Sequence, residues 1–215
     1  MKNIVTFVIR GTRPLLMNRL SEEDLKLLLG KKGDKPQPKT LESKTYRDTD
    51  GNLCVLGSHI LTSLHYGVRS MLGRERKGLV RAVQNGKISA PDLLTLTFPD
   101  TDKPIRGYTL DTRRSFIRPQ PGNVTLIEVD EWGFDPQSGE EVVVGQVQVP
   151  MTVIEATYPR IDAWQIRSIL SIDEPINVDE VKIALTMAGK CHGIGAFCRS
   201  AYGQFKLIEW NGEPV

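Results

Sequence analysis

The chain has 215 residues, 40% of them hydrophobic and 25% charged, with a formal net charge of +2. That length suits one elaborated domain with a sizeable core. The composition excludes a disordered chain, and no apolar stretch approaches the roughly 20 residues a membrane-spanning helix needs. Lys2 precedes a short strand-like run with no small-residue cleavage site, which argues against a secretory signal, so a cytoplasmic protein is expected. Cys54, Cys191 and Cys198 form no CxxC pair and point to reduced thiols rather than a disulfide framework or zinc knuckle. So small a net charge does not announce a nucleic-acid binder, and the distribution of charge has to carry that argument.

The run Ile4-Val-Thr-Phe-Val-Ile9 is β-branched and apolar and stops at Gly11 and Pro14, which predicts a first strand. Ser21, followed by three acids and then by Leu25, Leu27, Leu28 and Leu29, predicts a short helix. Residues 30–44 are rich in Lys, Gly and Pro and read as a mobile loop. Asp50-Gly51 between two extended pieces predicts a β-hairpin. Next, Ser58 is placed to cap a helix whose apolar positions are Ile60, Leu61, Leu64, Val68, Met71 and Leu72.

Further on, residues 79–84 suggest a short helix and 93–98 a strand. Residues 108–117, 124–129, 142–149 and 161–172 read as strands, with a hairpin turn at Asp135-Pro-Gln-Ser-Gly139. Asn177 or Asp179 is expected to cap a helix with Val181, Ile183, Ala184, Met187 and Ala188 on its apolar face and Gly189 at its end. A last strand covers 204–210. Stripped of insertions, the order is strand, helix, two or more strands, helix, strand. This is the α+β, ferredoxin-like (RRM-like) βαββαβ sandwich, expected as a single domain over 1–215 with a β-rich insertion around 100–150.

The segment after the last helix concentrates the functional signal. Gly193, Gly195 and Gly203 surround Phe197, Arg199, Ser200 and Tyr202. Glycines let main-chain amides approach phosphate oxygens, and Arg199 can add a bidentate contact. The same glycines also suit a helix cap and a crowded turn, and spacing alone does not separate the two readings. The spacing misses Gly-x-Gly-x-x-Gly and follows a helix rather than a strand, which disfavours a dinucleotide site.

These residues resemble the RAMP superfamily, RNA-binding proteins that include the backbone and end-cap subunits of CRISPR surveillance complexes. Residues 193–206 are similar to its glycine-rich loop between the second helix and the last strand. Residues 53–72, ending near Arg69, are similar to its strand entering the first helix, and residues 5–17 to its opening strand. The family's Pro-Gly-Ser-x-x-Lys helix start reads Leu56-Gly-Ser-His-Ile-Leu61 here, without the lysine. The resemblance implies a subunit that grips single-stranded RNA, or less readily DNA, and assembles along the strand by self-association or within a ribonucleoprotein. A stand-alone, phage-encoded relative fits as well as a CRISPR subunit. Neither metal nor cofactor nor membrane is implied.

Other constellations are secondary. Arg113-Arg114-Ser-Phe-Ile-Arg118 interleaves cations with an aromatic, as a strand lying along a polyanion can, or as an ordinary solvated sheet edge does. Phe197 and Tyr202 are candidate stacking platforms. His59 and His192 are weak candidates for ribonuclease acid-base chemistry. Asp34 is a weak candidate for the loop aspartate with which some members of the family cut RNA. A metal-independent endoribonuclease and a protein-interaction factor without nucleic acid remain the alternatives.

Overall fold

The computed structural model describes residues 2–19, 40–71, 75–117, 132–134, 141–143, 152–198 and 202–215; side chains at 75–76, 113–117, 132–134, 141–143 and 152–155 are outside the description. The helix expected after Ser21, most of the expected loop at 30–44, the strand at 124–129 and the turn at 135–139 therefore lie outside the described residues. The chain separates into two compact units, one of residues Met1–Asp111 and Tyr158–Val215, the other Thr112–Thr157. The second unit overlaps in sequence the β-rich insertion expected around 100–150.

In the first unit, β1 (Lys2–Gly11), β5 (Ile88–Ser89), β11 (Gln165–Asp173), β12 (Phe205–Trp210) and β13 (Glu213–Pro214) form one sheet in the order β13-β12-β1-β11-β5. All four pairings are antiparallel. Leaving out the terminal β13, the order by chain position is fourth, first, third, second, which is the ferredoxin-like arrangement. Register places Val5 opposite Leu170 and Ile9 opposite Ile166. All four are buried, so the helix-facing side of the sheet is continuous across the pair. A slip of one residue would turn that row out to water.

Two helices lie against one another on that sheet, α1 (Gly57–Ser70) and α3 (Val178–Cys191), and α2 (Glu75–Gln84) follows α1. In α1, Ile60, Leu64 and Val68 fall one above another and are fully buried, each contributing about 1.5–3 kcal/mol relative to exposure. Ser58 is not its cap. The helix begins two residues earlier than that cap would place it, at Gly57, after an extended Leu56 that makes no side-chain capping bond. Asn177 does cap α3, its Oδ1 accepting from the Asp179 amide at 2.9 Å, and Asp179 and Glu180 favour the positive end of the helix.

Two further expectations for α3 are corrected. Gly189 does not end the helix, which runs on to Cys191, because its missing side chain makes room for Phe205. Ile183 is 52% exposed and off the apolar face, which is formed by Val181, Ala184, Leu185 and Ala188.

A smaller sheet joins β3 (Tyr46–Arg47), β4 (Leu53–Leu56) and β6 (Leu93–Thr95), and the hairpin between β3 and β4 turns at Gly51 with φ +78°. A third runs in the order β2 (Leu15–Leu16), β10 (Thr152–Ile161), β7 (Thr109–Ile117). The single strand expected at 161–172 is two, β10 and β11, separated at Asp162–Trp164 because the Trp164 side chain turns into the core with no exposure. The chain leaves the first unit within β7 and returns within β10. In the second unit, β8 (Trp132–Phe134) pairs antiparallel with β9 (Glu141–Val143), flanking the expected turn. Among the described residues no helix is long and apolar enough to cross a membrane.

Two glycines in helices make opposite predictions. A Cβ on buried Gly67 of α1 would collide with the Ala184 carbonyl of α3, whereas one on exposed Gly78 of α2 meets nothing within 4 Å. Gly67→Val is expected to destabilise the protein by about 2–3 kcal/mol through overpacking, and Gly78→Ala to stabilise it by about 0.5–1 kcal/mol through helix propensity. Urea denaturation midpoints measure both.

Candidate functional site

After β1 the chain runs as a strap, residues 12–19, that ties the C-terminal glycine loop to the rest of the unit. The Thr12 amide donates to the Gln204 carbonyl at 2.7 Å, and the Pro14 carbonyl accepts from the Gly203 amide at 2.8 Å. The Leu16 carbonyl accepts from Ala196 at 2.9 Å, the Met17 amide donates to Pro159 at 3.0 Å, and the Arg19 amide donates to Lys44 at 2.9 Å. Buried Leu15 and Leu16 anchor the strap in the core, and the Trp164 indole donates to the Arg13 carbonyl at 2.9 Å.

The loop glycines have positive φ, +80° at Gly193, +81° at Gly195 and +61° at Gly203, the region that a Cβ disfavours. The reason is internal packing. A Cβ on Gly203 would strike the Ile194 carbonyl, and one on Gly193 would lie 2.6 Å from the Gly203 carbonyl. The Gly193 amide donates to Ala188 at 2.9 Å and the Ile194 amide to Gly203 at 3.0 Å. With Ala196 and Gly203 also donating to the strap, these amides are engaged inside the protein. The expected cradle of main-chain amides for phosphate therefore does not form at Gly193, Ile194, Ala196 or Gly203.

What the loop does build is a cavity of about 290 Å³ lined by Met17, Asn18, Tyr46, His59, Gly195 and Phe197, with buried Leu16 and Val55 among its walls. Two cation-aromatic series flank it. The Arg19 guanidinium lies 5.7 Å from the Tyr46 ring centroid, and Tyr46 meets the His59 ring edge-on at 5.7 Å. The Lys44 ammonium lies 4.7 Å from the Tyr158 centroid, and Tyr158 meets Phe197 edge-on at 5.0 Å. Each cation-ring contact is worth about 0.5–1 kcal/mol at an exposed site. Phe197 holds φ +56°, a conformation that costs a non-glycine residue about 1–3 kcal/mol and collects at functional sites.

The His59 Nδ1 is buried and, among the described residues, has no hydrogen-bond partner; one turn on, the Ser63 hydroxyl is in the same position. Burial pulls the His59 pKa below its ordinary value of 6.5, so the imidazole is neutral at physiological pH.

The other expected site residues fall elsewhere. His192 is buried, stacked on Tyr66 with centroids 4.1 Å apart, its Nε2 3.5 Å from the Cys198 sulfur. His59 and His192 thus contact different tyrosines and do not form a pair. Tyr202 donates its hydroxyl to Asp111 at 3.3 Å, a carboxylate also bound by Arg160 at 3.1 Å. Arg69 is exposed in the last turn of α1. Arg113 and Arg114 lie in β7 within the second unit, their side chains outside the description, and Asp34, Arg118, Arg199 and Ser200 lie outside the described residues. Among the described residues no group of three or more His, Cys, Asp or Glu is placed to hold a metal ion.

Sequence reasoning missed Arg19, Tyr46 and Lys44. Arg19 and Lys44 are 25 positions apart and meet through the bond from the Arg19 amide to the Lys44 carbonyl.

His59 makes stability depend on pH. The unfolded imidazole takes up a proton near its ordinary pKa of 6.5, while the folded one does so only at lower pH. Its contribution is therefore fully present above pH 6.5 and is lost as pH falls toward the folded-state value. Urea midpoints are expected to drop as pH falls below about 6.5, and His59→Leu to remove part of that drop.

No protein-family model and no curated protein matches the chain. Among solved structures, a chain of the type III-B Cmr-β complex bound to cognate target RNA superposes with a TM-score of 0.50 at 11% identity, covering 97% of this chain and 60% of that one. Cmr6 from Pyrococcus furiosus superposes with a TM-score of 0.44 at 10% identity, covering 97% of this chain and 98% of its own. The chain spans 60% of the length of the Cmr-β chain, and its fold is similar to that chain's.

Proposed function

We propose that this chain binds single-stranded RNA as a RAMP-type subunit of a multi-subunit ribonucleoprotein. The observation that carries the reading is the pair of cation-aromatic series, Arg19-Tyr46-His59 and Lys44-Tyr158-Phe197, on the cavity beside the glycine loop. A flexible polyanion with flat bases asks for that combination: cations spaced along the backbone and rings that accept base faces. The fold is consistent with the reading, since the Cmr-β chain that shares it belongs to a complex carrying target RNA.

Side-chain cations, rather than the glycine amides, contact the phosphates. The glycines act one step back by holding Phe197 and the strap in place. Double-stranded nucleic acid is a poorer fit, because paired bases cannot reach rings set beside a cavity.

Fluorescence anisotropy with a labelled single-stranded oligoribonucleotide at rising salt tests this. Affinity is expected to fall steeply with salt. Arg19→Ala and Lys44→Ala are each expected to weaken binding several-fold and to lower the slope of log K against log salt by about 0.7. Binding that ignores both salt and these substitutions rejects the reading.

A further inference from the structure

We infer that the cavity between the strap, the start of α1 and the glycine loop receives one unpaired nucleobase of the bound strand. This rests on the proposed RNA-binding reading and deepens it. Four features of the cavity converge on a flat heteroaromatic guest.

The first is size. At about 290 Å³ the space lies just below the roughly 300–1,000 Å³ typical of sites for whole small molecules or cofactors. It suits a single ring system better than a nucleotide with its phosphates. Gly195 lines the cavity, and a Cβ there would press on the Leu15 side chain and the Leu16 carbonyl, so only glycine lets the loop lie this close to the strap.

The second is the wall chemistry. Phe197, Tyr46 and Met17 present two rings and a polarisable thioether, surfaces that bind aromatic guests. The third is a polar requirement that an aliphatic guest cannot meet. His59 lines the cavity, and as a neutral imidazole it suits an uncharged base, where an imidazolium would not. The exposed Asn18 also lines the cavity, and its amide carries both a donor and an acceptor. A base edge supplies complementary groups to that amide.

The fourth is charge placement. Arg19 and Lys44 belong to the cavity's flanking series, where the phosphates on either side of an inserted base would pass. The main-chain strain at Phe197 fits the same picture, because it holds a ring against the cavity that a relaxed backbone would aim elsewhere.

The test compares a labelled single-stranded oligoribonucleotide with an abasic strand of equal length and charge. The wild-type protein is expected to prefer the base-containing strand by about ten-fold, consistent with the stacking of one base. His59→Leu and Phe197→Gly should each bring that preference close to unity, and Arg19→Ala should weaken both strands alike. Phe197→Gly accommodates the left-handed backbone and serves as the second variant should His59→Leu fold poorly. Equal wild-type affinity for the two strands, or a preference that survives both cavity substitutions, overturns the inference and leaves the phosphate-binding reading standing. Failure of wild-type protein to bind either strand overturns both.

Discussion

The candidate site depends on main-chain hydrogen bonds between two stretches that lie almost a whole chain apart. Residues 12–19 take amides from Ala196 and Gly203 and give amides to Gln204, Pro159 and Lys44. Each bond contributes only about 0.5–1.5 kcal/mol net, but leaving one unmade in a buried setting costs more. The strap is therefore fixed in position rather than merely packed. Much of the cavity's border hangs from it: Met17 and Asn18 lie on the strap itself and Phe197 is held through the neighbouring Ala196, while Arg19 and Lys44 share a bond beside it.

The glycines serve that constraint. Gly203 and Gly193 approach carbonyls too closely for any side chain, and their amides are spent inside the fold. A glycine-rich loop beside cations invites a reading in which bare amides hold phosphate, yet here the missing side chains let two backbone segments interlock. The consequence for function is indirect. A stiff loop can hold Phe197 in a left-handed conformation and present its ring, which a slack loop would release. That strain and the His59 Nδ1, which has no hydrogen-bond partner among the described residues, are tolerated because the rest of the unit supplies an extensive core, from Phe7 and Ile9 on β1 to Trp164 and Phe205.

Charge acts locally in this protein. A net charge of +2 spread over 215 residues creates little long-range attraction for a polyanion. Much of the charge in the first unit is neutralised in ion pairs, such as Arg47 with Glu42, Arg160 with Asp111 and Asp162, and Arg167 with Glu209. Arg19 and Lys44 lie over aromatic rings, which keeps a cation beside an apolar surface. The basic run at Arg113 and Arg114 belongs to the second unit and not to the unit that holds Arg19 and Lys44.

Patterns whose cause lies within a few residues were legible in the sequence by itself. The turn at Gly51, the helical spacing of Ile60, Leu64 and Val68, the cap at Asn177 and the βαββαβ order all follow from local backbone preference and from which face must be buried. Tertiary structure decided whatever depends on a distant neighbour. Gly189 reads as a helix stop until Phe205 is seen lying against it, and residues 161–172 read as one strand until Trp164 turns into the core between two. Tyr46, Arg19 and Lys44 carry no local signature at all, because a cavity is a relation between surfaces and not a property of any stretch of chain. The physical reason is the range of the forces involved: hydrogen-bonding geometry and side-chain periodicity act along the chain, whereas exclusion of a Cβ, burial of an imidazole and the meeting of a cation with a ring act across whatever the fold has brought together.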